Sequence, residues 1–370
     1  MSAPLSPGAT IGIIGGGQLG RMLAMAAARL GYRTVVLEPQ KDAPASQVTN
    51  GQIVAAYDDP AALAELAERS DVVTYEFENV PVEAATRLAD QIRVSPPPRA
   101  LEVSQDRLTE KTFLNDIAAQ TAQFEAVSSE KELAAALKAF GGQGVLKTRR
   151  LGYDGKGQHV FRKDRPADVS AVYASMGKVP LILESLISFD REISIIAARG
   201  LDGTLAAFEP AENVHRGGIL HSSTLPAMVA EETAKAARQI AFSILKALDY
   251  VGVLGVEFFV LPDRSLLVNE IAPRVHNSGH WTEAACLVSQ FEQHIRAIAG
   301  LPLGSTERHF DCIMENLIGA DVERANALSL EPNLMLHLYG KAEARPGRKM
   351  GHFTRVFRSP EQVDENDPEA

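Results

Sequence analysis

A dense polar run follows one apolar, strand-like segment and carries most of the candidate chemistry of this chain. The run extends from Asn269 to Thr282 and holds a carboxylate, an arginine, two histidines, two amides and two hydroxyls within fourteen residues. It comes directly after the apolar segment Leu266 to Val268. A core strand would not carry this set, because buried polar groups need partners. The run is typical of a site that holds a metal, phosphates and a small anion.

A second carboxylate, Glu257, interrupts another apolar segment thirteen residues before Glu270. Pro262 to Ser265 has the composition of a turn, so the two segments are predicted to form a hairpin. With a loop of two or four residues, Leu261 faces Leu266 and Glu257 faces Glu270. Facing carboxylates repel each other, and Mg²⁺ shared with substrate phosphates would remove that repulsion. The alternatives are a solvated face or a loop of odd length that separates the two acids.

The glycines from Gly15 to Gly20 match a dinucleotide-binding fingerprint between a strand and an amphipathic helix. Glu38 ends the next strand, where an acid that binds a ribose would lie. This pattern favours an NAD enzyme, but backbone N–H groups at a helix N-terminus would serve a phosphate on any substrate equally well. A tight strand-to-helix turn without a ligand is the structural alternative.

A second glycine-rich segment, Gly152 to Gln158, contains Asp154 and Lys156 among its three glycines. Glycines at this spacing let backbone amides approach phosphates, and a loop of this kind can act as a lid. Lys147 lies just before it, at the end of a predicted strand, where it could pair with a phosphate. The alternative is a flexible hairpin tip with a solvated lysine. Nowhere in the sequence do Cys and His have the spacing of a zinc site.

The amino-acid composition and net charge of the chain argue against several classes of protein. The chain has 370 residues, a formal net charge of −10 and 45% hydrophobic residues, which is ordinary for a globular protein of two or three domains. The negative charge argues against a general nucleic-acid or membrane surface. Cys286 and Cys312 are the only cysteines, so a reducing, cytoplasmic compartment is expected. The N-terminus has neither the pattern of a signal peptide nor that of a membrane span.

The order of predicted elements is that of an α/β protein. Alternating strands and helices up to the prolines at 96–98 predict a parallel sheet and a domain boundary there. Residues 101–119 and 281–299 are each predicted to form one long helix. We predict domains at 1–100, 101–300 and 301–358, followed by an acidic, disordered tail at 359–370.

Taken together, these residues resemble the ATP-grasp superfamily and, within it, the N5-carboxyaminoimidazole ribonucleotide synthetase family. The resemblance covers almost the whole folded chain and is carried by Gly15–Met22, Tyr75–Val80, Gly152–Gln158, Asn269–Trp281 and Arg345–His352. It implies a Rossmann-like pre-ATP-grasp domain that does not bind NAD, a two-lobed ATP-grasp domain and a small β-rich C-terminal domain. It also implies a homodimer that carboxylates 5-aminoimidazole ribonucleotide with bicarbonate and ATP, through carboxyphosphate, in purine biosynthesis.

The resemblance also implies roles for residues of this chain. Those expected to contact ATP are Arg107, Lys147, Gly152, Tyr153, Asp154, Gly155, Lys156, Gly157, Gln158, Glu184, Ser185, Leu186, Ile187, Glu192, His215, Asn269 and Glu270. Magnesium is expected on Glu257 and Glu270. The ribonucleotide is expected on Gln18, Glu76, Tyr153, Asp154, Lys156, Arg348 and Lys349. The catalytic group is expected to be Asp154, Arg274, His276, Asn277 and Lys349.

Two positions depart from the pattern of the superfamily. Ala272 stands where many members have an Asn metal ligand, and Lys156 stands where an arginine would also fit. Three rival functions follow from parts of the sequence. One is another ATP-grasp carboxylate–amine ligase, such as a formate-dependent glycinamide ribonucleotide transformylase. The others are an NAD-dependent oxidoreductase and an inactive protein that only binds nucleotide.

Overall fold

The computed structural model describes residues 3–152, 157–165, 167–177 and 179–357. Its strands are β1 (Thr10–Ile14), β2 (Arg33–Leu37), β3 (Gly51–Ile53), β4 (Val72–Tyr75), β5 (Phe124–Val127), β6 (Gly144–Thr148), β7 (Gln158–Phe161), β8 (Leu181–Glu184), β9 (Arg191–Arg199), β10 (Leu205–Ala207), β11 (Ala211–Arg216), β12 (Ile219–Leu225), β13 (Gly252–Val260), β14 (Leu266–Ala272), β15 (Asp311–Ile318), β16 (Leu334–Leu338) and β17 (Lys349–Phe357).

The α-helices are α1 (Gln18–Arg29), α2 (Pro60–Glu68), α3 (Val82–Ala89), α4 (Pro98–Ser104), α5 (Arg107–Asp116), α6 (Glu130–Ala139), α7 (Val169–Ser175), α8 (Glu231–Ala247), α9 (Thr282–Ala285), α10 (Gln290–Ala299) and α11 (Ala325–Leu328). Two 3₁₀ helices occupy Asn277–Gly279 and Gly319–Arg324. Among the residues that the structure describes, none of these helices is long and apolar enough to span a membrane.

The N-terminal part is the parallel sheet predicted from its alternating elements. Its four strands lie in the order β3-β2-β1-β4, and each neighbouring pair is parallel. The buried face of α1 includes Leu19, Met22 and Leu23, as expected for the amphipathic helix predicted after the glycine turn. The carboxyl ends of β1 and β4 therefore direct the segments that follow them toward the rest of the molecule.

The middle of the chain forms two further sheets. A small antiparallel sheet has the order β5-β8-β6-β7, with α6 and α7 beside it. A nine-stranded sheet has the order β14-β13-β9-β11-β12-β15-β17-β16, and its ninth strand, β10, pairs with β9 beside this path. The predicted C-terminal region thus extends the large sheet instead of forming a sheet of its own. This continuity brings the start of β17 close to the strands that carry the candidate metal ligands.

Both long helices predicted from the sequence are interrupted. Asp106 is extended and its carboxylate accepts the backbone N–H groups of Leu108 and Thr109, so it starts α5 as a separate helix after α4. In the same way Ser289 caps α10, and extended Cys286 ends α9. The predictions of single helices over 101–119 and 281–299 were wrong, because internal caps compete with helix continuation.

Candidate active site

A cavity of about 610 Å³ opens where the three sheets meet. Most of the predicted site residues line it: Gln18, Glu76, Arg107, Lys147, Gly152, Gln158, Glu192, His215, Glu257, Asn269, Glu270, Arg274, His276, Asn277 and Lys349. These residues come from α1 and the segment after β4, from α5, from the small sheet and from the nine-stranded sheet with the segment after β14. One cavity therefore joins groups that are far apart in sequence.

Glu257 and Glu270 face each other on β13 and β14, as predicted, but through a different register. Val260, not Leu261, pairs with Leu266, and a β-bulge on β14 restores the pairing of the two acids. The loop has an odd number of residues, which by itself would have separated them, and the extra residue at the bulge compensates. Both carboxylates therefore reach the cavity.

The environment of this pair suits a divalent cation. Burial and, after it, the nearby carboxylate of Glu270 together raise the pKa of Glu257 to about 7. Arg107 Nη1 lies 3.2 Å from Glu270 Oε2, and its Nη2 donates to the carbonyl of Gly152. An ion between the acids would offset the burial and the repulsion together. Two carboxylates that leave room for phosphate and water match the preference of Mg²⁺ for oxygen ligands.

Lys147 is held by a buried carboxylate next to the cavity. Glu184 Oε2 lies 2.9 Å from Lys147 Nζ and 3.4 Å from Lys111 Nζ. The two ammonium groups outweigh burial and lower the pKa of Glu184, while burial lowers the pKa of Lys147. Glu184 is thus a charged anchor that positions Lys147, and it does not itself line the cavity.

Glu192 and His215 form a second pair at the cavity wall, with His215 Nδ1 2.9 Å from Glu192 Oε2. Burial alone would lower the pKa of His215, but the neighbouring carboxylate of Glu192 outweighs burial and raises it. His215 lies on β11, so its ring is held by the large sheet at the cavity wall. Nearby, the rings of Phe189 and Phe259 stack at 4.6 Å and also line the cavity. Together they give this end a flat apolar surface beside a carboxylate.

Arg274 lies at the opposite end and is held by a residue of the N-terminal part. Its Nε donates to Glu78 Oε2 at 2.5 Å. Although burial opposes the change, Arg274 lowers the pKa of Glu78 to about 2. The pair fixes the guanidinium at the cavity wall, and it joins the polar run to the segment after β4.

His276 stands between the carboxylate pair and this arginine. Ser194 Oγ lies 2.7 Å from Ser278 Oγ, which in turn lies 2.8 Å from His276 Nδ1. Burial, Arg274 and Lys349 lower the pKa of His276 to about 3, so the ring is neutral. Since Nδ1 accepts from Ser278, the ring proton lies on Nε2, 3.6 Å from Glu257 Oε1.

Asn277 lines the cavity with a side-chain amide that lacks hydrogen-bond partners among the described residues. Both its Oδ1 and its Nδ2 are buried and have no hydrogen-bond partner within the described part of the chain. Buried amides without partners are rare, because each such group costs about 1–3 kcal/mol. Asn277 therefore points to a ligand that both donates and accepts hydrogen bonds.

The glycine turn holds anions that belong to the protein itself. Gly16 N–H donates to Glu38 Oε2 at 2.8 Å, and Gly20 N–H donates to Glu76 Oε2 at 2.6 Å. Gly17 N–H donates to the other oxygen of Glu76. A phosphate, whether of a dinucleotide or of the substrate, would have to displace these two carboxylates, so the expectation that the turn serves a substrate phosphate stays a prediction. Glu76 also lines the cavity, so its contact with the ribonucleotide stays a prediction.

Several predicted residues lie away from the cavity wall or outside the described residues. Gly157, Glu184, Ser185, Leu186, Ile187 and Arg348 are not among the residues that line the cavity. Arg348 donates to the carbonyl of Glu343 instead. Gly157 has φ +69°, and a Cβ there would lie 2.8 Å from Thr148 Oγ1, so the turn requires glycine. Tyr153, Asp154, Gly155 and Lys156, with the predicted tail at 359–370, lie outside the described residues.

Sequence reasoning missed three charged residues that support the site. Glu78 holds Arg274, and Lys111 contacts both Glu184 and the carbonyl of Asn269. Glu110 lines the cavity and accepts the backbone N–H of Ile271 at 2.6 Å. Arg107, Glu110 and Lys111 have the spacing of one face of a helix, and that signal could have identified α5 as a wall of the site.

Comparison with known proteins agrees with this architecture, and the fold and the site together define an ATP-grasp enzyme. Family models match residues 112–291 as an ATP-grasp domain and residues 8–105 as a ribonucleotide synthetase preATP-grasp domain. A third model, the phosphoribosylaminoimidazole carboxylase C-terminal domain, matches residues 312–366. The chain belongs to the N5-carboxyaminoimidazole ribonucleotide synthase family, as its relatives show. The synthase of Brucella melitensis biotype 1 is 64% identical over 95% of this chain and 97% of its own length.

More distant relatives agree. The Bacillus subtilis synthase is 43% identical over 94% of this chain and 91% of its own length. A solved synthetase in complex with ADP superposes with a TM-score of 0.92 at 42% identity, covering 98% of this chain and 96% of that chain. The Aspergillus clavatus synthase, solved with ADP and 5-aminoimidazole ribonucleotide, gives 0.89 at 31% identity and covers 95% of each chain. The fold, the domain types and the enzyme class predicted from the sequence are confirmed; the domain boundaries stay predictions.

Proposed function

We propose that this chain couples ATP cleavage to carboxylation of 5-aminoimidazole ribonucleotide by bicarbonate, giving N5-carboxyaminoimidazole ribonucleotide, ADP and phosphate in purine biosynthesis. Family membership supports this, since an Aspergillus relative was solved with ADP and that ribonucleotide. The structural observation that carries it is a single cavity with two chemically different ends. One end has an apolar surface, Lys147 and paired carboxylates, and the other has Arg274, Asn277 and Lys349.

ATP fits the first end. The stacked Phe189 and Phe259 offer a flat surface for the base, and Glu192 can accept from the ribose hydroxyls. Lys147 can move from Glu184 to the phosphates without leaving the cavity wall. Glu257 and Glu270 would hold Mg²⁺, which neutralises charge on the transferring phosphoryl group. With Ala272 in place of an amide, the remaining ligands would be phosphate and water.

Bicarbonate fits between the two ends. Its negative charge suits Arg274, and it both donates and accepts hydrogen bonds, as the unpartnered amide of Asn277 requires. A bicarbonate oxygen attacks the γ-phosphorus, the bond to ADP breaks, and carboxyphosphate forms. Phosphate is a far better leaving group than hydroxide, so this step activates the carboxyl carbon.

The ribonucleotide completes the reaction from the second end, near Gln18 and Lys349. Its exocyclic amine attacks the carbon of carboxyphosphate, or CO₂ released from it. The carbon–oxygen bond to phosphate breaks, and the departing phosphate takes up a proton from nitrogen. Carboxyphosphate hydrolyses in water, so the cavity must close during the reaction. Closure by Gly152 to Gln158, and contacts from Tyr153, Asp154 and Lys156, remain part of this proposal.

We also propose that the enzyme works as a homodimer in the cytoplasm. The family resemblance supports the dimer, and the presence of only two cysteines, both free, fits a reducing compartment.

ADP release with each acceptor in turn, with and without bicarbonate, tests the proposed function. We expect carboxylated product only when 5-aminoimidazole ribonucleotide and bicarbonate are both present. Equal turnover with formate and glycinamide ribonucleotide would assign the chain to a different ATP-grasp ligase.

A further inference from the structure

Three metal-binding side chains meet outside the cavity described above. Glu283 lies on α9, directly after the polar run, and His337 and His352 are paired across β16 and β17. One donor atom from each of the three residues lies within 4.8 Å of the other two. The residues are far apart in sequence, so the cluster exists only because β17 packs against α9. This explains why no zinc spacing could be read from the sequence.

The His352 ring is held by its neighbours and keeps one buried nitrogen without a partner among the described residues. Its Nδ1 lies 2.7 Å from the hydroxyl of Tyr339, and its ring stacks between those of His280 and His337 at 4.4 and 4.8 Å. Its remaining nitrogen, Nε2, has no hydrogen-bond partner among the described residues, although His352 is only 1% exposed. A fixed imidazole with one nitrogen bonded and the other unpartnered matches the usual arrangement of a metal-binding histidine.

Glu283 supplies the complementary charge. Its Oε2 lies 3.3 Å from His337 Nε2, a close contact that lacks the geometry of a hydrogen bond. A cation placed between the carboxylate and the two imidazoles would fill the two atoms that lack a partner among the described residues, Glu283 Oε2 and His352 Nε2. The ring of His337 stacks nearly parallel to that of His352, so the partly exposed His337 ring would turn to direct its nitrogen at the same ion.

We propose that Glu283, His337 and His352 bind a divalent transition-metal ion of the zinc class. Two imidazoles and one carboxylate suit zinc and its neighbours, whereas Mg²⁺ prefers oxygen ligands alone. The side chains of Glu283 and His337 are each 18% exposed, so water can reach the site and supply a further ligand. This site is separate from the Glu257–Glu270 pair and is not needed to explain the chemistry of the reaction.

The ion would join α9 to the strand pair β16–β17. Lys349, at the start of β17 and three residues before His352, lines the reaction cavity. The metal would therefore act by positioning, since it restrains the strand that carries Lys349. It would also restrain the end of the polar run, because α9 begins at Thr282, the last residue of that run.

Zinc binding by the full-length, tag-free protein tests this inference. The protein is stripped with a chelator, kept in excess Mg²⁺ to saturate the carboxylate pair, and dialysed against Zn²⁺ before metal analysis. We expect one zinc per chain, and Co²⁺ in its place should give visible absorption bands from imidazole ligation. Glu283→Gln and His337→Gln should each weaken Zn²⁺ binding by at least roughly tenfold, since even outer-shell changes have effects of about this size.

His159→Gln is the matched control, because His159 lies on β7 in the small sheet and should leave zinc binding unchanged. Circular dichroism checks that each variant is folded. Because His337 is on the edge strand β16, His337→Gln is the variant that should disturb folding least. Absence of retained zinc in the wild-type protein would overturn the inference and leave a buried Glu–His hydrogen-bonded cluster. Zinc binding equal to wild type in both variants would overturn it as well.

Discussion

The carboxylate of Glu76 accepts the backbone N–H of Gly20 at 2.6 Å and thereby occupies the N-terminus of α1. In a dinucleotide-binding protein, that position faces the pyrophosphate. Here a side chain from the end of β4 provides the negative charge, and Glu38 does the same for Gly16. The backbone N–H groups of the glycine turn therefore bind carboxylates of the same N-terminal part.

The purified protein should not show saturable binding of NAD or NADP. A dinucleotide would have to displace two carboxylates that already accept the amides of the turn. Isothermal titration calorimetry with each dinucleotide checks this, with ADP as the positive control in the same buffer. A micromolar dissociation constant for either one, about −8 kcal/mol of binding free energy, would contradict this account of the turn.

Glu270→Gln should lower kcat/KM by roughly 100-fold or more at ordinary Mg²⁺ concentrations, because one of the two carboxylates that hold the ion loses its charge. The variant should remain folded, since the change also removes repulsion with Glu257 and so offsets the loss of the contact with Arg107. Steady-state kinetics over a Mg²⁺ series measures the effect. Glu212→Gln, on β11 and outside the cavity lining, is the control. Wild-type activity in Glu270→Gln would show that the pair does not hold the metal.

Lys349→Met should impair use of the ribonucleotide far more than ATP binding. Lys349 lines the cavity, and its charge lowers the pKa of both His276 and Glu257. Loss of one contact to a charged group should raise the activation free energy reported by kcat/KM for the ribonucleotide by about 1.5–3 kcal/mol. ADP affinity should stay near the wild-type value. Arg345→Met, in the exposed loop before β17, is the control. Unchanged ribonucleotide kinetics in Lys349→Met would remove Lys349 from the site.

Acid should destabilise the protein partly through His294, which links α10 to the N-terminal sheet. Its Nδ1 accepts from Val253 N–H at 3.1 Å, and its Nε2 lies 2.9 Å from Thr74 Oγ1. Burial lowers the pKa of His294 to about 3, below its unfolded value of about 6.5. The unfolded state therefore binds the extra proton, so stability is lost as pH falls from about 6.5 toward about 3.

The contribution of His294 to the free energy of unfolding should decrease by about 2 kcal/mol between about pH 7 and about pH 5. Guanidinium unfolding at both pH values measures the free energy of unfolding. In His294→Gln, the loss of stability between the two pH values should be smaller by about 2 kcal/mol. His276 and His280 shift in the same direction, so some dependence will remain. His159→Gln should behave as wild type. Equal pH dependence in wild type and His294→Gln would show that His294 protonates freely in the folded state.

Local sequence patterns predicted the elements and much of the site, because apolar periodicity and turn composition act over short distances. The prediction that Glu257 faces Glu270 was correct, but the predicted loop length and strand register were wrong. The bulge at Asn269, which compensates for the odd loop, has no clear signal in the amino-acid composition. The breaks before α5 and α10 depend on single capping residues, Asp106 and Ser289, which also occur inside helices.

Side-chain contacts between residues far apart in the sequence could not be predicted from the sequence. The contact between Glu78 and Arg274 spans 196 positions, and nothing local to either residue indicates the other. The cluster of Glu283, His337 and His352 depends in the same way on how β17 joins the large sheet. Such groups become recognisable only when the sheets are assembled.

In the proposed reaction, ATP activates bicarbonate in the cavity between Lys147 and Arg274, and the carboxyl group is then transferred to the ribonucleotide amine. Turnover with ¹⁸O-labelled bicarbonate, followed by isotope analysis of the inorganic phosphate and of the carboxylated product, tests it most directly. We predict one labelled oxygen in each phosphate released and labelled carboxyl oxygen in the product, both dependent on 5-aminoimidazole ribonucleotide. ADP release with unlabelled phosphate, or without carboxylated product, would contradict the proposed reaction.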